Sequence, residues 1–289
     1  MFRLPFLCFF FLGIYFLAAC QPIPAAQLES GVATASETAT IIPLITSTET
    51  PLPTLVPTRT PIALPPSSTP APLLCSPLQG YRLDQMPSLV VNPFNPPPPG
   101  SDDPHQGIDL ADRQPGSQIA LSGRLVQAAL GGKVAAVIRD RFPYGNALLV
   151  ESPLDELPKD WMAALSLDEP FPTPQPNLVL TCPDVVHNNW QAGQSLYLLY
   201  AHLQQAPEFK LDDPLVCGQG LGNVGDSGNA LNPHLHLEVR LGPAGARFSS
   251  LAHYDNRATL EEMDNYCTWR VRGIFRLVDP LLLLGLPEK

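Results

Sequence analysis

The sequence predicts a mainly β domain of antiparallel strands, with its site in a groove across one sheet, and three observations carry that reading. Five short segments rich in Val, Leu and Tyr, at residues 133–139, 146–152, 177–181, 195–203 and 234–241, have the length and composition of strands. Turn formers separate them: Gly-Gly at 131–132, Pro-Tyr-Gly at 143–145 and Asp-Ser-Gly-Asn at 226–229. Helical patterning is confined to residues 155–165 and 258–263, so only short helices are expected, one in an insertion and one near the C-terminus.

The chain opens with one arginine, Arg3, ahead of an apolar run over residues 4–19. That run is short of the roughly twenty residues of a membrane span and fits a signal peptide at residues 1–19. It ends in LAAC, which resembles the lipobox of bacterial lipoproteins. The resemblance implies cleavage before Cys20, a lipid on its thiol, and a protein held on the outside of a membrane.

Residues 20–74 are expected to form a disordered linker. Between 21 and 74 the chain has eleven prolines, ten threonines, four charged residues and no aromatic residue, too little apolar surface to offset the entropy of ordering. In polyproline form it reaches about 150 Å, and as a flexible coil about 40 Å.

Residues 75–289 have the length of one domain with a single core. A net charge of −10 and the absence of a basic tract exclude nucleic acid as a partner. With Cys8 in the signal and Cys20 at the lipid site, four cysteines remain: Cys75, Cys182, Cys217 and Cys267. They lack the CxxC spacing of a structural zinc site, and in an exported domain they are expected to form two disulfides.

Three strings concentrate the chemistry: HQGID at 105–109, YAH at 200–202 and HLH at 234–236. On an extended strand, side chains at i and i+2 share a face, so His234 and His236 project into one cleft. By the same rule His105 and Asp109 share a face, with Gly107 leaving the space between them empty. Zinc favours imidazole nitrogen and carboxylate oxygen, and a catalytic site uses three protein ligands. His105, Asp109, His202, His234 and His236 exceed that need by two, leaving a pair for proton transfer or transition-state stabilisation.

This order, HxxxD, then a histidine closing an apolar strand, then a glycine-rich turn into HxH, resembles the lysostaphin-type, or LytM-domain, zinc endopeptidases of bacterial peptidoglycan. The similarity covers residues 93–240, interrupted by an unmatched insertion at about 152–193. It implies one zinc ion on His105, Asp109 and His236, catalytic roles outside the metal shell for His202 and His234, and a peptidoglycan peptide as substrate. The sequence departs from the pattern at Leu237, where the family commonly has an aromatic residue, and in the insertion, which bears on substrate preference. In some relatives an upstream asparagine takes the fourth zinc position; Asn92 or the linker is the candidate here. The family fold brings the chain ends together, which implies Cys75 with Cys267 and Cys182 with Cys217, one of three connectivities. His187 and His253 match no motif and read as structural.

Two rival readings compete with this one. GDSGN, at 225–229, resembles the nucleophile loop of chymotrypsin-like proteases, but His202 precedes Ser227 by only 25 residues and there is no room for a second barrel. A catalytically silent domain of the same fold, binding cell wall or activating an amidase, is the other alternative, and zinc content separates it from an enzyme.

Overall fold

The computed structural model describes residues 73–167, 173, 181–183 and 190–287. The expectations for residues 1–72, including Cys20, and those for His187 and a strand at 177–180 lie outside the described residues.

Among the described residues ten strands follow one another: β1 (Val90–Asn92), β2 (Ile108–Leu110), β3 (Leu125–Gln127), β4 (Gly132–Arg141), β5 (Gly145–Pro153), β6 (Gln194–Leu203), β7 (Pro214–Leu215), β8 (Gly220–Asn223), β9 (Leu235–Pro243) and β10 (Arg276–Val278). One sheet runs β1-β2-β9-β6-β5-β4-β7, with β10 also on β9, and β3 pairs with β8 in a second. Every pairing is antiparallel, as the sequence predicts. Four of the five predicted strand segments are the long central strands β4, β5, β6 and β9. The remaining strands have two to four residues, too short to show a period.

The central strand β6 is apolar on both faces because both sheet faces are covered. In β6, Leu196, Leu198 and Tyr200 join one buried cluster, with Val134, Leu148 and Leu237. The intervening Tyr197, Leu199 and Ala201 join another, with Tyr266, Trp269 and Phe275. The first face is covered by the β3–β8 pair and by three helices: α1 (Met86–Leu89), α2 (Lys159–Ala164) and α4 (Pro280–Leu284). The second is covered by α3 (Leu260–Arg270). Trp161 of α2 and Trp269 of α3 are both buried, each contributing roughly 1.5–3 kcal/mol or more by burial of a large side chain.

Helix α2 falls inside the predicted stretch. Helix α3 runs well past its predicted end. A capping box starts it: Glu262 N donates to Thr259 Oγ1 at 3.1 Å, and Thr259 N donates to Glu262 Oε2 at 2.9 Å. Its buried residues include Asp264, Asn265 and Thr268 beside Tyr266, Cys267 and Trp269. No apolar stripe marks such a helix in sequence.

The two disulfides correct the expected pairing. Cys75 joins Cys217, and Cys182 joins Cys267. Cys75 N donates to Ala129 O at 2.9 Å and Gly218 N to Ala128 O at 2.8 Å, so Cys75 and Cys217 flank the same strand-like segment. Cys267 lies on α3, among side chains of the other sheet face, and the sheet stands between it and Cys75. Segments near the two ends of the described domain do approach, through α1 and α4, but Cys267 precedes that approach.

Candidate metal centre

Register aligns the site. Across four neighbouring strands, Asn92 pairs with Asp109, Asp109 with His236, and His236 with Ala201. Side chains in such a row stand side by side on one face. The three candidate ligand atoms converge: His105 Nε2 is 3.1 Å from Asp109 Oδ1 and 3.1 Å from His236 Nδ1, and His236 Nδ1 is 2.8 Å from Asp109 Oδ1. Gly107 makes this possible, because a Cβ there would meet Leu237 O at 2.5 Å and His236 Cε1 at 3.0 Å.

His202 reaches the same face by a different route. Strand alternation puts residue 202 with Leu198 and Tyr200, on the opposite side from His236. Its φ of 62° swings it over at the end of β6. A positive φ at a non-glycine residue is unfavourable and tends to occur where a site requires it. His202 then lies 4.8 Å from His234 and 5.7 Å from His236, centroid to centroid. His234 Nε2 is 3.5 Å from Asp109 Oδ1. All five predicted residues line one cleft of about 280 Å³, together with Asn92, Phe142, Tyr144 and Tyr254.

The remaining ring nitrogens fix the tautomers. His105 Nδ1–H donates to Pro93 O at 2.9 Å, His202 Nδ1–H to Ser227 O at 2.7 Å, and His234 Nδ1–H to Asn232 O at 2.8 Å. His236 is inverted: Nε2–H donates to Glu238 Oε1 at 3.2 Å, which leaves Nδ1 facing the centre. Without a metal, His236 donates from Nδ1 to Asp109; once that proton is lost, the lone pairs of His105 Nε2 and His236 Nδ1 and the Asp109 carboxylate converge on one point. Such a donor set calls for a cation, and its chemistry fits zinc. Asn92 Nδ2 donates to Asp109 Oδ2 at 3.0 Å, which orients the carboxylate with Oδ1 toward the histidines. That contact uses the amide nitrogen, whereas occupying a fourth metal position takes the amide oxygen.

Electrostatics agree with the geometry. Burial opposes ionisation of Asp109, but hydrogen bonds from His105 and His236 hold its carboxyl well below the usual range. Burial likewise opposes the charge on His236, yet its bonds to Asp109 and Glu238 push it up to about 9. His202 goes the other way: burial, with His236 and His234 nearby, pushes it down to about 3, so it is neutral at pH 7.

Glu238, fully buried beneath His236, was not among the sequence candidates. Burial disfavours its charge, but Arg240 and Arg270 hold its pKa well below the usual value. Arg240 Nε and Nη2 reach Oε2 at 2.9 and 2.7 Å, and Trp269 Nε1 donates to it at 2.9 Å. Tyr144 and Arg270 donate to Oε1 at 2.9 and 2.7 Å. The run HLHLEVR carried a signal for this network: its polar residues 234, 236, 238 and 240 fall on one face of a strand whose other face is apolar.

Ser227 is no nucleophile. Its hydroxyl donates to Leu203 O at 2.7 Å and accepts from Asn146 N at 2.9 Å, while His202 meets its carbonyl. A Cβ on Gly145 would lie 2.4 Å from the Ser227 carbonyl carbon, so this turn packs backbone against backbone. His253 is also held away from the centre, its Nε2–H donating to Thr181 O at 3.0 Å and its Nδ1 accepting from Tyr254 N at 2.9 Å.

No family model and no curated protein matches the sequence. Among solved structures, the chain is similar to the catalytic domain of the antimicrobial peptidase lysostaphin from Staphylococcus simulans, at TM-score 0.36 and 16% identity over 71% of this chain and 99% of that one. It is similar to the catalytic domain of the prophage-encoded M23 protein EnpA from Enterococcus faecalis, at TM-score 0.33 and 21% identity over 61% of this chain and 91% of that one. A zinc containing peptidase from Vibrio cholerae matches at TM-score 0.30 and 22% identity, over 57% of this chain but only 35% of its own length.

Proposed function

We propose that this chain is a LytM-type zinc endopeptidase that hydrolyses peptide cross-links or cross-bridges of bacterial peptidoglycan, working from the outside of a membrane to which a lipid on Cys20 anchors it. The observation that supports the reading most is the convergence of His105 Nε2, Asp109 Oδ1 and His236 Nδ1 on one point, with the other ring nitrogen of each histidine donating outward.

In this reading, His105 Nε2, Asp109 Oδ1 and His236 Nδ1 hold one zinc ion. Bound zinc supplies Lewis acidity, polarising a carbonyl and making water acidic enough to attack near neutral pH. His202, kept neutral by burial and with Nδ1–H tied to Ser227, offers Nε2 as the proton acceptor. His234 has Nδ1–H tied to Asn232, so it would stabilise the developing oxyanion or return a proton to the leaving amine from Nε2 as the imidazolium, with both ring nitrogens protonated. The surrounding Phe142, Tyr144 and Tyr254 form walls against which an extended peptide can lie.

The test combines metal analysis with activity. The purified chain is expected to carry about one zinc, to clear peptidoglycan suspensions, to stop when the ion is chelated and to recover when zinc is returned; mass spectrometry of the fragments identifies the bond. A chain without zinc, or one indifferent to chelation, overturns the reading and favours the silent domain. For the anchor, wild type is expected in the membrane fraction and Cys20→Ala outside it; equal partitioning refutes lipidation.

A further inference from the structure

One guanidinium spans the centre. Arg270, the last residue of α3, donates from Nη1 to Glu238 Oε1 at 2.7 Å, directly behind His236. The same group donates from Nε to Asp102 Oδ1 at 2.6 Å and from Nη2 to Asp102 O at 2.9 Å. Asp102 belongs to the loop that delivers His105. Gln106 ties that loop again, donating from Nε2 to Asp102 O at 3.0 Å and accepting from Arg240. Arg240 comes from the motif-bearing strand itself. Arg270 comes from a helix outside the motif region, fastened through Cys267 to Cys182 of the insertion.

We propose that Arg270 is a positioning residue of the metal centre, bracing the carboxylate that orients His236 against the loop that carries His105, so that α3 helps to set the distance between two metal ligands. The proposal rests on the zinc reading above. Arginine suits the task because its planar fork holds donors in fixed directions, whereas lysine concentrates its donors on one nitrogen and cannot span both carboxylates in the same way. The side chains of Arg270 and Asp102 are each 10% exposed and Glu238 has no exposure, so solvent competes little with the brace. Partners of this kind, behind the ligands, typically alter metal affinity by about 10- to 100-fold when removed.

A merely structural role for Arg270 in docking α3 makes a different prediction, and the helix supplies its own control. Arg141 Nε also ties α3 to the sheet, through Glu262 Oε1 at 2.7 Å, without touching the centre. Zinc affinity of the full chain in detergent is measured by competition with a chromophoric chelator, and unfolding temperature is recorded after metal removal. Arg270→Lys is expected to bind zinc about 10- to 100-fold more weakly. Asp102→Asn removes the loop charge that Arg270 Nε meets, leaves the backbone contact from Nη2, and also alters the group that accepts from Tyr254 and Tyr266. It is expected to weaken zinc binding in the same direction and carries the test if Arg270→Lys does not fold. Arg141→Lys is expected to lower the unfolding temperature and leave zinc affinity at the wild-type value. Wild-type affinity in Arg270→Lys and Asp102→Asn overturns the proposal, as does an equal loss in Arg141→Lys. A wild-type chain that takes up no zinc overturns the zinc reading instead, and this proposal with it.

Discussion

Replacing Glu238 by glutamine changes little in volume and much in charge. In the native protein its two oxygens accept from six donors: His236 Nε2, Tyr144 OH and Arg270 Nη1 on one, Arg240 Nε, Arg240 Nη2 and Trp269 Nε1 on the other. Glutamine keeps one acceptor and turns an NH₂ group toward donors, whichever way it is flipped. The two guanidiniums also lose their shared counter-charge in a region where they are at most 10% exposed. Breaking a buried ion pair from one side costs about 3–5 kcal/mol. For a domain of this size each kcal/mol lowers the unfolding temperature by about 2–4 °C, so a fall of about 6–20 °C is expected. Calorimetry on zinc-free wild type and Glu238→Gln measures it without the stabilisation that metal binding adds. The difference carries a pH signature. Because the folded pKa of Glu238 is depressed, its contribution is present above the unfolded value near 4.5 and is lost as pH falls through the folded pKa, so the gap narrows in acid. A variant within about 1 kcal/mol of wild type at pH 7, below the cost expected for a broken buried pair, would refute the reasoning.

Three other perturbations separate the remaining roles. His236→Ala is expected to lose zinc and activity together, whereas His234→Ala keeps about one zinc and loses about a hundredfold in turnover, as for removal of an acid–base or oxyanion group; atomic absorption beside turbidity loss checks both, and the opposite pattern reverses the assignment. Zinc uptake near pH 7 is expected to release a proton, since His236 titrates at about 9 without metal and must bind as neutral imidazole. The raised pKa has the opposite effect on the metal-free fold: its contribution is full below the unfolded value near 6.5 and is lost as pH rises through about 9, so apo stability falls over the window in which zinc affinity climbs. Calorimetry in buffers of different ionisation enthalpy reads the proton, and uptake with no release contradicts the assignment. Removing either disulfide, by Cys75→Ala with Cys217→Ala or by Cys182→Ala with Cys267→Ala, is expected to cost about 2–5 kcal/mol. Non-reducing peptide mapping that recovers Cys75 joined to Cys267 refutes the pairing.

The sequence by itself determined the long strands, through short-range periodicity, and singled out the five cleft residues through the ordered strings HQGID, YAH and HLH. A period of two puts His234 with His236 and His105 with Asp109, and an empty position at Gly107 is visible in the string HQGID. Tertiary structure decided what periodicity cannot carry. His202 is on the site face only because its backbone turns left-handed at the end of β6, against the alternation that its strand obeys. The disulfides pair as they do because a two-faced sheet separates Cys75 from Cys267, and an argument from converging chain ends does not record which face each cysteine occupies. Glu238 was half legible, in the polar alternation of HLHLEVR, but its charge is tolerable only because Arg270 arrives from a helix 32 residues later in the chain. A buried carboxylate takes its meaning from its partners, and those are chosen by the fold, where distances along the chain no longer measure distances in space.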